Sequence, residues 1–197
     1  MIYVIGMHDP IPEFAIEIDT TSRAEGWSRG LSPFIIGPVK LYLSYAAVRM
    51  ENAWQFCKVY PQHVGADGEP TPAYFEWAER GWASRRAVRY PMGRGAMPKY
   101  SYFDGEKMSY VEARRRLYVP FYWNAALVTP AFEQLVATCR AASTTRGCQN
   151  QDVYLRCFDG YNYRARGLTL DDVLNDPYEK MGHGFVLAMM LKSIGLE

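Results

Sequence analysis

The sequence predicts an α+β fold, mostly helical, with a few short strands. Three observations carry that expectation. Apolar residues recur at helical spacing in several segments after residue 46. Runs rich in β-branched and aromatic residues stand at 1–6 and 152–158, each closed by a turn residue. The composition, 49% hydrophobic and 22% charged, is that of an ordinary globular chain and argues against disorder. One domain, 1–197, is the default for 197 residues, a length able to bury a sizeable core.

Residues 1–6 read as a strand ending at Gly6, and Glu13–Asp19 as a second strand with less regular alternation. Arg23–Ser32 is loop-like, with Gly26 and Gly30 bracketing Trp27. Phe34–Ile36 and Val39–Tyr42 are short extended pieces separated by the turn signal Gly37-Pro38. A helix is expected over 47–60, stopped by Pro61. Residues 61–72 form a loop, and Ala73–Arg80 a helix with Gly81 as terminator. Ser84–Arg89 could start another helix, and Tyr90–Pro98 is a loop with a basic centre. No Gly-Lys-Ser/Thr follows it, so it is not a P-loop.

Ser109, with Glu112 three residues on, opens a helix expected to reach Tyr118, with Pro120 beyond. Pro130–Arg140 is a further amphipathic helix, ending before a Thr144–Gly147 turn. Asp152–Phe158 reads as a strand closed by Asp159-Gly160. Thr169 and Asp172 cap a short helix to Asn175, and Lys180–Ile194 is the last helix, with Gly195 as its stop. The small sheet is therefore expected at the N-terminus and near residue 155.

The predicted helix at 47–60 carries the most informative residues. At about 100° per residue, offsets of four and seven bring Glu51, Gln55 and Lys58 within about 60° of one another on one face. Met50, Ala53, Trp54, Phe56 and Cys57 take the opposite side. A carboxylate and an amine held together can act as a proton-transfer couple, or as a nucleophile with its base. A solvated helix face with a charge pair is the plainer reading.

Glu51-x-x-x-Gln55-x-x-Lys58 resembles the signature helix of the NADAR family, small proteins that include N-glycosidases cleaving ribose from nitrogen. Gly30-Leu31-Ser32-Pro33-Phe34 resembles that family's Leu-Ser-Asn-Phe segment, at a suitable distance before the helix. The match covers residues 30–60. The family usually has His after the Glu and Asn in the earlier motif, where Asn52 and Pro33 stand here. Phe158-Asp159-Gly160-Tyr161 is similar to a late family segment with Asp before glycine; the family's Trp-Gly pair is missing. Gly182-His183-Gly184 resembles the family's glycine entry to its last helix.

The resemblance implies a mostly helical NADAR-like fold, with Glu51 as acid/base, Lys58 as the amine engaging the ribose anomeric carbon, and Asp159 as a second acid. Substrate contacts fall to Ser32, Phe34, Trp54 and Gln55 in the two motifs. Outside them, Arg23, Trp27 and Arg29 suit a stacked base with neighbouring phosphates, with surface loop packing as the alternative; Arg85, Arg89 and Arg94 face the same choice, with a solvated helix face as the plainer reading. Gly182 and His183 suit an anion at a helix N-terminus, or proton transfer by the imidazole. Turn formation explains Asp159-Gly160 equally well, and a buried, hydrogen-bonded histidine is the alternative for His183.

The function so implied is hydrolysis of a ribose C1–N bond in a nucleotide, an ADP-ribosyl adduct or a modified nucleic-acid base, without metal or organic cofactor. Its partner is a nucleotide or ADP-ribose-like ligand. The alternatives are a non-catalytic module binding ADP-ribose or nucleic acid, and a viral (phage) accessory enzyme processing hypermodified DNA bases. Net charge is +1, so no global field draws the protein to nucleic acid. Yet residues 80–99 hold Arg80, Arg85, Arg86, Arg89, Arg94 and Lys99 without one acid, and Arg114–Arg116 follow. Fifteen Tyr and five Trp provide stacking surfaces as well as core.

Cys57, Cys139, Cys148 and Cys157 contain no C-x-x-C pair and no zinc spacing, and read as reduced thiols. The start of the chain lacks a signal-peptide pattern, and the apolar run Phe185–Leu191 is too short to cross a bilayer. A cytoplasmic protein without membrane association is expected.

Overall fold

A computed structural model describes residues 1–144 and 151–197. The expected turn after Thr144 and the residue Cys148 lie outside the described residues. The strands are β1 (Ile2–Ile5), β2 (Ile16–Asp19), β3 (Val39–Lys40), β4 (Ala46–Ala47), β5 (Lys58–Val59), β6 (Tyr100–Phe103), β7 (Glu106–Met108) and β8 (Val153–Arg156). The helices are α1 (Met50–Gln55), α2 (Pro72–Ala83), α3 (Tyr110–Ala113), α4 (Val119–Leu127), α5 (Pro130–Thr144), α6 (Leu170–Asn175) and α7 (His183–Ser193). The class is α+β. The chain divides into two compact units, Met1–Ser32 with Ala126–Glu197, and Pro33–Ala125.

The first unit is built on a three-stranded parallel sheet with β8 between β1 and β2, in register at Ile2↔Val153 and Ile16↔Val153. The expected strands near the N-terminus and near residue 155 are thus neighbours. A parallel strand paired on both sides is buried on both faces, and Val153, Tyr154 and Leu155 are all buried. Helix α7 covers β1 and is apolar almost all round, with Phe185, Val186, Leu187 and Leu191 fully buried. Capping boxes begin α3 (Ser109 with Glu112) and α6 (Thr169 with Asp172), as the sequence predicts.

The second unit packs aromatic rings around α1 and α2. Phe56 and Trp77 lie 4.6 Å apart, and Tyr74 is buried against both Phe75 and Tyr102. Strands β5, β6 and β7 form an antiparallel sheet, its β6–β7 hairpin turning through Asp104 and Gly105, both at positive φ. That Asp-Gly pair is a hairpin signal the element reading above passes over.

Several boundaries differ from expectation, each for a physical reason. Helix α1 ends at Gln55, so Lys58 stands in β5 rather than on the helix. Phe34–Ile36 forms no strand: Phe34 and Ile35 lie in a turn, and the carbonyl of Ile36 accepts from the first N–H of α1. Ser84–Arg89 forms no helix, since its backbone groups are bonded to side chains of Arg49 and Asn52. Helix α2 runs through Gly81 to Ala83; a Cβ there would lie 2.0 Å from the Phe56 ring, so glycine serves close packing and not helix termination. Pro120 does not stop the helix begun at Ser109. A π-helical turn over Arg114–Tyr118, closed by Val119 N–H donating to Arg114 O, carries the chain past the missing proline N–H.

Gly81→Ala should therefore cost about 1–3 kcal/mol of stability by overpacking against Phe56. Urea denaturation checks this, and an unchanged midpoint would mean that the ring has room to move. A second expectation concerns His63, only 8% exposed, with its ring 4.8 Å from Trp77 and its Nδ1 without a hydrogen-bond partner. Burial pushes its pKa below the usual 6.5. The unfolded chain takes the proton first, so this contribution to stability is intact above 6.5 and declines as pH falls below it. His63→Phe should flatten that part of the stability–pH curve.

Candidate functional site

Helix α1 is six residues long and buried along its whole length. Its first N–H groups find carbonyls outside the helix: Met50 N–H donates to Ile36 O and Glu51 N–H to Pro33 O, both at 2.9 Å. The two motifs singled out in the sequence thus meet through the backbone, and Pro33 serves by its carbonyl, which its side chain does not alter.

Glu51 and Gln55 are each 7% exposed, which excludes a solvated charge-pair face. Gln55 Nε2 donates to Glu51 Oε1 at 2.9 Å, and Lys58 Nζ donates to Gln55 Oε1 at 2.8 Å. The amide can serve both partners only in this orientation, its NH₂ toward the carboxylate and its oxygen toward the ammonium. Carboxylate, amide and ammonium form one line. Lys58 reaches it from β5, where pairing with Ser101 of β6 fixes its backbone.

The rings beside this line are aromatic. Lys58 Nζ sits 4.8 Å from the centre of the Trp54 ring, which in turn lies 5.1 Å from Tyr118 and 6.2 Å from Tyr110. Arg114 is 1% exposed, with its guanidinium 4.5 Å over the Tyr110 ring. In the sequence Arg114 stands in the basic run Arg114–Arg116. Its spacing of four from Tyr110 on a capped helix was the available signal.

Asn52 has a definite task. It is fully buried, its Nδ2 donates to Ser84 O and Arg86 O at 3.0 Å, and its Oδ1 accepts from Val88 N–H at 2.9 Å. Arg94 is exposed in the loop that follows, 5.7 Å from the Tyr90 ring. Phe34 is half-buried in the turn leading to α1.

In the first unit, Asp159 and Gly160 follow β8, and Gly182 N–H donates to Asp159 O at 3.1 Å. A Cβ at Gly160, Gly182 or Gly184 would each stand 2.9 Å from Cys157 Sγ. Packing on that sulfur requires glycine at these positions, and the bonded Gly182 N–H is not open to an anion. His183 is 5% exposed, with Nε2 2.9 Å from Thr20 O and 2.8 Å from Thr20 Oγ1. A carbonyl only accepts, so Nε2 carries the hydrogen. This is the buried, hydrogen-bonded histidine of the alternative reading.

Arg23 lies 5.5 Å over Phe158, not over Trp27, and Arg29 Nε donates to Ser22 O at 3.1 Å. Trp27 is 39% exposed, and Ser32 is buried at the end of the same 3₁₀ turn, its N–H on Arg29 O. A cavity of about 130 Å³ in this unit, bounded by Tyr163, Arg164, Leu170 and Lys192, includes none of the candidate residues.

The structure therefore brings Glu51, Trp54, Gln55 and Lys58 together in one unit, and Asp159, Gly182 and His183 in the other. Among the described residues no helix is long and apolar enough to cross a membrane. The buried Cys57 thiol is pushed up to about 12 by desolvation, and Cys139 to about 11, as unreactive structural thiols. No protein-family model matches the chain, and searches of curated proteins and of solved structures find no significant match.

Asn52→Ala would leave two carbonyls and one N–H without their partner, and should cost on the order of 2–4 kcal/mol. Asn52→Asp, which keeps the acceptor and loses both donors, should be no better. A loss below about 0.5 kcal/mol in urea for either variant would remove the clamp from the account of stability.

Proposed function

We propose that this chain is an N-glycosidase-type hydrolase, similar to the NADAR family, that cleaves a ribose C1–N bond in a nucleotide, an ADP-ribosyl adduct or a modified base. The observation that carries the proposal is the line Glu51–Gln55–Lys58 beside the Trp54 ring, buried at Glu51 and Gln55 and half-buried at Lys58. A carboxylate and an amide buried side by side on α1 have a desolvation cost that a purely structural helix of six residues could avoid with apolar residues, and the half-buried Lys58 amine completes the row from β5.

In the reaction, one proton of the Lys58 ammonium passes to the Glu51 carboxylate, the free amine forms a bond to C1 as the C1–N bond breaks, and the leaving nitrogen takes that proton from Glu51. Glu51 takes one proton back from the attached amine, and the other ends on the ring oxygen as the C1–O bond of the ring breaks, which gives an imine. Water adds across the imine, its hydroxyl to C1 and its proton to the nitrogen; the C1–lysine bond breaks to leave an aldehyde and the free amine, and the ring hydroxyl closes on C1 again. The net change is water consumed, with one hydroxyl gained at C1 and one N–H on the product. Gln55 sets the direction of both reacting groups, and Trp54 offers a flat face beside the amine. Asp159, the second acid that the resemblance implies, is a further candidate for protonating the leaving nitrogen.

Two variants test the roles. Glu51→Gln should keep the fold and lower turnover by about 10²-fold or more. ADP-ribose, whose terminal ribose has a free C1, should be trapped by borohydride as a mass increase on the Lys58 peptide. Lys58→Arg should abolish both trapping and turnover, since a guanidinium keeps its proton. Equal labelling of surface lysines in the wild type and Lys58→Arg would exclude the imine route. A protein that binds ADP-ribose and turns over no C1–N substrate would instead be a binding module.

A further inference from the structure

The segment from Ser84 to Lys99 is held at its start by α1 and the residue that precedes it, and at its end by β5. At its start, Asn52 bonds Ser84 O, Arg86 O and Val88 N–H, and Arg49 Nε donates to Arg85 O at 3.2 Å. At its far end, Lys99 N–H donates to Val59 O at 2.8 Å, one residue from Lys58. Between these anchors the backbone is irregular, and a turn from Tyr90 to Gly93 folds Arg94 back toward Tyr90.

What the segment presents is cationic. It contains Arg85, Arg86, Arg89, Arg94 and Lys99, with no acidic residue. Arg85, Arg86, Arg94 and Lys99 are exposed and, among the described residues, make no ion pair. Tyr90 is 40% exposed, with the Arg89 and Arg94 guanidiniums 5.5 and 5.7 Å from its ring centre. In a protein of net charge +1 such a concentration is local, and the anchors hold its backbone in place before any partner arrives.

We propose that the Ser84–Lys99 segment is a docking surface for single-stranded nucleic acid. Guanidinium forks match phosphate oxygens, and a row of them suits a chain of phosphates. An exposed aromatic ring between two guanidiniums offers a face on which an unpaired base stacks. The ring is what favours nucleic acid over an acidic peptide, which brings carboxylates but no flat π-face, and favours a single strand over a duplex, whose bases are already stacked. The inference does not rest on the glycosidase reading: the surface would bind whether or not Lys58 reacts.

Fluorescence anisotropy with a thymidine oligonucleotide of about twelve residues, between 50 and 200 mM salt, tests it. The wild type should bind, with log K falling against log salt at a slope of about −2 to −3, as expected for three or four phosphate contacts on a single strand. The triple variant R85Q/R86Q/R94Q alters only exposed side chains. It should melt as the wild type does, bind at least tenfold more weakly at 50 mM salt, and reduce the slope by about 2. Tyr90→Leu should weaken the oligonucleotide about tenfold while leaving the slope unchanged, because it removes stacking and no charge. No binding by the wild type at 50 mM salt would overturn the proposal, as would triple-variant affinity equal to the wild type. Tighter binding of poly-glutamate than of the oligonucleotide would assign the surface to an acidic peptide.

Discussion

A helix of six residues is far too short to stand by itself, and the second unit is organised around keeping α1 in place. All six side chains are buried, including those of Glu51, Asn52 and Gln55. Burial of polar groups is tolerable only where each finds a partner, so the surroundings must supply bonds rather than only apolar surface. The carbonyls of Pro33 and Ile36 receive the first N–H groups, Gln55 joins Glu51 to Lys58, and Asn52 holds the backbone of residues 84–88. The turn before α1, the end of α2, the loop after it and strand β5 are thereby tied to one point.

This arrangement gives a structural sense to the residues that depart from the resembled pattern. Asn52 stands where the resembled pattern usually has histidine, and its amide offers two donors and an acceptor to three backbone groups. An imidazole has two ring nitrogens and could not meet all three with the same geometry. The aromatic excess also finds its place here, with Trp54, Tyr110 and Tyr118 beside the Glu51–Lys58 line and a second group of rings around Trp77. Edge and tilted ring contacts of this kind add about 0.5–1.5 kcal/mol each beyond area burial, and they limit side-chain freedom around the polar line.

The first unit follows a different logic. Its central strand β8 is flanked by β1 and β2 in parallel, so the chain must return from distant parts of the sequence to complete three short strands. Close approach then falls to glycine: Gly160, Gly182 and Gly184 surround the Cys157 sulfur, and α7 lies against Val4. His183 is spent on Thr20, inside this packing. The same glycines that suggested an anion site in the sequence are accounted for by the sulfur they enclose.

Read from the sequence alone, the α+β class, the two terminal strand segments, the capping boxes at Ser109 and Thr169 and the stop at Gly195 were all legible. The caps and the stop are satisfied within a few residues, so local geometry suffices to determine them, whereas the strand segments are legible from composition and find their partners only in the fold. The association of Glu51, Gln55 and Lys58 was legible too, though for a partly mistaken reason, since Lys58 reaches Gln55 from a strand and not from a shared helix face. Only the tertiary structure decided that α1 stops at Gln55, that Glu51 is buried, and that Asn52 grips residues 32 to 36 positions away. Those outcomes depend on carbonyls, rings and strands contributed from elsewhere in the chain. Helical periodicity does not encode such partners, because it describes what a segment can present and not what will meet it.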